Sequence, residues 1–169
     1  MRSFLLLAVV ASCIWTNHAA LQQRNHVIYV EWNREAWGPP ANRTIEQALE
    51  EFPCRTLREG PQGDIRLILN SDFVRACGNR SAILNEDTTA GAAWDCGNNH
   101  VDITIQRAAK DWDSDKLRVL LWHEIGHAVG LDHVNRLDSI MHPQVLAIRK
   151  PGMGFSRYEK DLLCHRVKI

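Results

Sequence analysis

LWHEIGHAVGLDHVNRLDSIMHP, residues 121–143, holds four of the eight histidines in this 169-residue chain. His123 and His127 are four residues apart. On a helix they share one face, one turn from each other, and two imidazoles so placed can hold one ion. Gly130 can end that helix, because glycine tolerates the left-handed conformation that a C-terminal stop uses. His133 can then return from the loop as a third ligand. Three neutral nitrogens with an open fourth position describe a catalytic zinc site rather than a closed structural one. Glu124, next to His123, has the chemistry of a general base for water at that open position. A pair of helical histidines is often only surface. Here His, Glu, His, Gly and His coincide at fixed spacing, which chance supplies in about one chain in 10⁵ of this length. No Cys-x₂-Cys pair is present, so a closed cysteine site is not indicated.

Outward from this stretch, the pattern predicts alternating strands and helices. His26 to Trp32, Asp64 to Asn70 and His100 to Gln106 read as strands, and Gly91 to Trp94 as a short edge strand. Thr44-Ile45-Glu46-Gln47 matches a capping box and predicts a helix of about ten residues ending near Pro53. Asp113 or Ser114 can cap the long helix that carries His123, with Asp115 in its first turn. Ser156-Arg157-Tyr158-Glu159 is a second capping box. It opens a last helix with Leu162, Leu163 and Val167. The order predicts an α/β (α+β) layer with a mixed sheet on helices.

The N-terminus reads as a leader. Arg2, the apolar run Phe4 to Ala11 and the small pair Ala19-Ala20 form a secretory-signal pattern over residues 1–20, too short to span a membrane. A cut there leaves one domain over residues 21–169. Val10-Ala11-Ser12-Cys13 also looks like a lipobox, in which Cys13 would carry a lipid anchor and the signal would end before it. Either way Cys54, Cys77, Cys96 and Cys164 remain, and in an exported domain they predict two disulfides with three possible pairings. The expected pairing is Cys77 with Cys96, stapling a loop, and Cys54 with Cys164, tying an early helix to the last one. Asn42-Arg43-Thr44 and Asn79-Arg80-Ser81 match glycosylation acceptors. The 20 basic and 20 acidic residues cancel, and no Lys/Arg block stands out, so nucleic acid is not an expected partner. No later run approaches membrane-spanning length, and a monomer is the expected state.

HEIGHAVGLDH followed by Ser139-Ile140-Met141 resembles the metzincin metallopeptidases. Gly130-Leu131-Asp132-His133, with Met141 eight residues after His133, is similar to the matrixin branch. The resemblance implies a metzincin-type zincin fold: a twisted mixed sheet packed on the active-site helix, with a C-terminal helix. It implies that Met141 forms a floor beneath the zinc without ligating it. It also implies an extended substrate pairing with the edge strand near Gly91 to Trp94, with Ala92, Ala93, Trp94, Pro143, Gln144 and Val145 as pocket candidates. The departures are specific. Astacins place a zinc-binding Tyr where this chain has Pro143. Matrixins usually carry Pro-any-Tyr where this chain reads Pro143-Gln144-Val145. No cysteine-switch propeptide is visible, nor the His/Asp pattern of the matrixin structural zinc and calcium loops, so structural calcium is not expected. Disulfides can replace such staples in a small domain.

The expected activity is that of a secreted zinc-dependent endopeptidase with one catalytic Zn²⁺ and Glu124 as general base to a zinc-activated water, acting on an extended protein or peptide. His142 could donate to the developing oxyanion, though a rim residue beside the turn is the plainer reading. Two other functions fit the same letters. One is a catalytically silent metal-binding surface or structural protein. The other is a lipid-anchored maturation protease, membrane-bound or periplasmic.

Overall fold

The computed structural model describes residues 27–70, 75–77, 79–80 and 90–165. The leader, Cys13 and Val167 lie outside the described residues. The elements are β1 (Val27–Trp32), α1 (Arg34–Glu50), β2 (Thr56–Glu59), β3 (Ile65–Asn70), β4 (Arg75–Ala76), β5 (Asn79–Arg80), β6 (Gly91–Asp95), β7 (Val101–Gln106), a 3₁₀ turn (Arg107–Asp111), α2 (Ser114–Ala128), α3 (Val145–Ile148) and α4 (Arg157–His165). Five strands form one mixed sheet in the order β2-β1-β3-β7-β6, and β4 and β5 pair as a small ribbon. Four of the five strands run parallel, and β6 is antiparallel to β7 at one edge. The order and the class agree with the expected α/β zincin architecture.

Alternation places Ile28, Val30 and Trp32 of β1 on the inner face, with Ile65 and Leu67 of β3 and Val101, Ile103 and Ile105 of β7. Ile45, Ala48 and Leu49 of α1 and Leu117, Leu120, Leu121 and Ile125 of α2 belong to the same core. The indole of Trp122 donates to the Ala48 carbonyl at 2.9 Å and joins the two helices. On the outer face, Asp102 is fully buried. Arg66 grips it with two hydrogen bonds of 2.9 and 2.7 Å, and it also accepts from the Cys77 N–H and contacts the His100 ring. Burial pushes the Asp102 carboxyl up, but the Arg66 guanidinium, the Cys77 N–H and His100 together bring it below its ordinary value.

Two local readings need correction. The first helix starts eleven residues earlier than the Thr44 capping box implies. Asn33 caps it by accepting from the Glu35 and Ala36 N–H groups, and Gly38 kinks it with φ 77° and ψ 164°. Pro39 and Pro40 then open the straight part, since a first helical turn needs no N–H donors from within. Thr44 is therefore interior, and its hydroxyl donates back to the Pro40 carbonyl. Asn42 is a poor glycan acceptor for a related reason. Its amide is buried, accepting from the Trp32 indole and donating to the Arg34 carbonyl, each at 2.9 Å. Strand β2 was not foreseen, because TLRE buries only Leu57 and shows no apolar alternation.

The two disulfides pair as expected, Cys54–Cys164 and Cys77–Cys96, across 110 and 19 residues. The first ties the segment after α1 to α4. Among the described residues no helix is long and apolar enough to cross a membrane.

Candidate metal centre

Asp113 caps α2 by accepting from the Lys116 N–H at 2.8 Å, with Asp115 in the first turn. The helix is buried continuously from Val119 to Ala128, as a central helix wedged between sheet and loops must be. Gly130 adopts φ 90°. The Gly130 N–H donates to the His127 carbonyl and the Leu131 N–H to that of Gly126, both at 2.9 Å. This left-handed stop turns the chain so that His133 comes back beside the helix.

The three Nε2 atoms of His123, His127 and His133 converge, 3.1 to 3.2 Å from one another. Nδ1 of His123 donates to the Ile140 carbonyl at 2.7 Å, and Nδ1 of His127 to that of Leu131 at 2.9 Å. Those bonds put the ring proton on Nδ1, so the Nε2 lone pairs face each other, an arrangement that a shared cation relieves. Ligands about 2.0–2.1 Å from a tetrahedral zinc lie about 3.3 Å apart, close to the spacing here. Burial drives the His123 ring down to about 4, helped by the neighbouring His133 and His142. Burial also lowers His133. Neutral imidazoles are the ligating form, so the donor set and its spacing fit zinc. Cys77 and Cys96 lie beside Asp102 in a second cluster of donors, but their sulfurs are joined to each other and are not thiolates.

Glu124 is buried, and burial lifts its carboxyl to about 8. Its side chain lies against Gly91 at the start of β6, where an added Cβ would come within 2.8 Å of Oε1. The bare backbone of Gly91 thus makes room for this carboxylate beneath the edge strand, a contact the sequence pattern did not signal. Met141 is buried under α2 for the same kind of reason. A Cβ at Gly126 would sit 2.5 Å from its sulfur.

The turn around Met141 is held by a buried acid. Glu159 of α4 is 1 % exposed. Its Oε1 accepts from the Ser139 hydroxyl at 2.5 Å and from the Met141 N–H at 2.9 Å, while Oε2 accepts from the Ser156 N–H at 2.7 Å. The Ser156 hydroxyl accepts from the Glu159 N–H, so the second capping box forms as expected. Its acid also reaches across to the metal floor. The Val134 N–H donates to the Met141 carbonyl at 3.0 Å, closing the segment between His133 and the turn.

Residues 56–161 match the family model of matrixin, a peptidase family. The chain belongs to the matrixin family. No curated protein matches it in a sequence search. A matrixin domain with three converging histidines has the makings of a zinc metalloprotease.

The pocket candidates of this matrixin domain are not all on one side. Ala93 packs on the main core, whereas Ala92 and Trp94, like Cys77, pack against Ala76 on the opposite face of the sheet. The Trp94 indole donates to the Thr104 hydroxyl at 3.0 Å. Period-two alternation in β6 sends those two side chains away from α2, so only their backbone remains available at the edge. Pro143 and Gln144 are exposed, and Val145 is buried at the start of α3.

Proposed function

We propose that this chain is a secreted zinc endopeptidase that hydrolyses peptide bonds in an extended polypeptide, with Glu124 as general base. The observation that carries the reading is the convergence of three Nε2 lone pairs at a helix whose residue next to His123 is the buried Glu124. One zinc held by His123, His127 and His133 would polarise the scissile carbonyl, lower the pKa of water from about 15.7 toward 7, and favour the ionised form of the adjacent Glu124. Glu124 takes the proton of the attacking water and returns it to the leaving amine, so one water is consumed and the carboxylate is regenerated. Nδ1 bonds to backbone carbonyls hold His123 and His127 in the ligating tautomer. Met141 closes the floor without ligating.

Strand β6 supports the reading on the substrate side. It is an edge strand whose outer backbone groups suit strand addition, in which main-chain bonds give affinity and side-chain pockets give preference. Pro143 and Gln144 form the exposed lip of the primed-side pocket, and Val145 lines its base. Export is part of the same reading. Removal of residues 1–20 would leave the single domain from Leu21 onward, and two disulfides suit an oxidising compartment.

The test is hydrolysis of casein by the purified domain, abolished by a chelator and restored by zinc. Glu124→Gln should keep one zinc per chain and lose at least about 10³-fold in kcat. Wild-type cleavage rates in that variant would refute the role of Glu124. A zinc-loaded wild type that cleaves no denatured protein would favour the silent binding protein instead.

A further inference from the structure

Arg55 stands between Cys54, which is bridged to Cys164, and Thr56, the first residue of β2. Strand alternation puts it on the side where Leu57 packs, and Arg55 is only 8 % exposed. Its guanidinium makes no ion pair and no hydrogen bond among the described residues. Nε is sealed from solvent and unsatisfied. Nη1 and Nη2 are equally unpaired but are not sealed. Burial lowers the guanidinium from its ordinary value, and no neighbouring acid offsets it. Arginine is almost never this buried without a counter-charge, because desolvation of an unpaired ion is costly.

The unsealed nitrogens have somewhere to point. Arg55 lines a cleft of about 340 Å³ between α1 and β2, together with the apolar side chains of Trp32, Leu49 and Leu57. That volume is at the small end of the range for ligand pockets, about 300–1,000 Å³. Three exposed acids, Glu46, Glu50 and Glu59, stand around it. None of them forms an ion pair with Arg55, and two are already engaged: Arg34 bridges Glu46 at 2.7 Å and also pairs with Glu59. A guanidinium offers parallel N–H donors that match the two oxygens of a carboxylate. The acids around the opening repel a dianion more strongly than a monoanion. The apolar wall suits a hydrocarbon body. Strand β2 is the edge opposite β6, so the cleft is separate from the zinc centre.

We propose that this cleft is a second binding site, for a small monocarboxylate with an apolar body, held by its two oxygens on the Arg55 guanidinium. The ligand supplies the counter-charge that the fold does not, and it stabilises the folded chain by binding. The Cys54–Cys164 bridge fixes the backbone one residue before Arg55, which reduces the ordering that binding requires. The site does not depend on peptide-bond hydrolysis.

Calorimetric titration of the zinc-loaded chain with sodium isovalerate, at constant ionic strength, tests the site. Saturable binding is expected, with uncharged isovaleramide and dianionic sulfate each at least about 10-fold weaker. Arg55→Met keeps the length of the stem and removes the donors. It should weaken isovalerate about 10–100-fold, with zinc content unchanged. Without ligand its Tm should equal or exceed that of wild type, because an unpaired buried charge is gone. Arg55→Lys keeps the charge without the paired donors and should fall between the two. A carboxylate bound at the zinc would persist in Arg55→Met, so equal isovalerate affinity in wild type and that variant overturns the proposal. No saturable binding to wild type, tighter binding of sulfate or of the amide, or an unliganded Arg55→Met that is less stable than wild type overturns it as well.

Discussion

Glu159→Ala tests how the metal floor is held. The substitution removes both carboxylate oxygens from a site that is 1 % exposed. Three donors lose an acceptor: the Ser139 hydroxyl, the Met141 N–H and the Ser156 N–H. A buried donor left unsatisfied costs about 1–3 kcal/mol. The Met141 N–H keeps its contact with the Ser139 oxygen at 2.9 Å, and Ser156 is only half-buried and can turn to water. The loss falls mostly on Ser139, which is fully buried, and on the capping box, whose removal adds about 1 kcal/mol. The sum is about 2–4 kcal/mol, a large share of the total of about 5–15 kcal/mol typical of a domain. Urea unfolding of the zinc-loaded protein measures it, and competition with a chromogenic chelator measures zinc affinity, expected to fall because Met141 sits directly under the ligand helix. Glu159→Gln keeps the shape and one acceptor and should lose less than half as much. If Glu159→Ala unfolds within 1 kcal/mol of wild type, a margin about the size of the capping term alone, and holds zinc as tightly, the buried carboxylate does not support the floor.

Acid should act through Asp102. Its folded pKa is depressed, so its contribution is complete above the unfolded value of about 3.9 and is lost as pH falls through the folded value. Urea midpoints from pH 6 to pH 3 should therefore fall more steeply in wild type than in Asp102→Asn, and parallel slopes would refute it. Trp94→Ala should cost about 3 kcal/mol in stability without altering cleavage preference, because its side chain lies behind β6. Gln144→Leu should do the reverse in a peptide-library profile. In the chain-entropy picture, opening Cys54–Cys164 costs about 4.8 kcal/mol and opening Cys77–Cys96 about 3. Thermal unfolding of the paired serine variants should rank them in that order.

The parts of the structure legible in the sequence are those governed by local chemistry. The cap at Asp113, the stop at Gly130 and the histidine spacing specify α2 and its ligands within about twenty residues, and no distant contact overrides them. Strands β1, β3 and β7 announce themselves by runs of β-branched and aromatic residues; β7 is buried on both faces, whereas β1 buries one face and leaves Tyr29 exposed on the other. The start of α1 is less legible, because a Pro-Pro pair reads equally as a break or as a first turn, and only the kink at Gly38 decides. Strand β2 hides because a polar edge strand has one buried side chain. The contacts of Glu124 with Gly91 and of Glu159 with Ser139 span 33 and 20 residues. No periodicity encodes such pairs. The face that Trp94 takes depends on which residue of β6 begins the pleat, and small residues on both sides of it leave the sequence silent.

The acid that completes the floor under the histidines stands 26 residues beyond His133, on the helix that a disulfide also fastens to Cys54. A ribosome makes the ligands first and that acid last. While the chain is being made, it therefore carries all three histidines and Glu124 before it carries the residue that seats Met141 beneath them. The order of synthesis delays assembly of the finished centre until α4 has emerged.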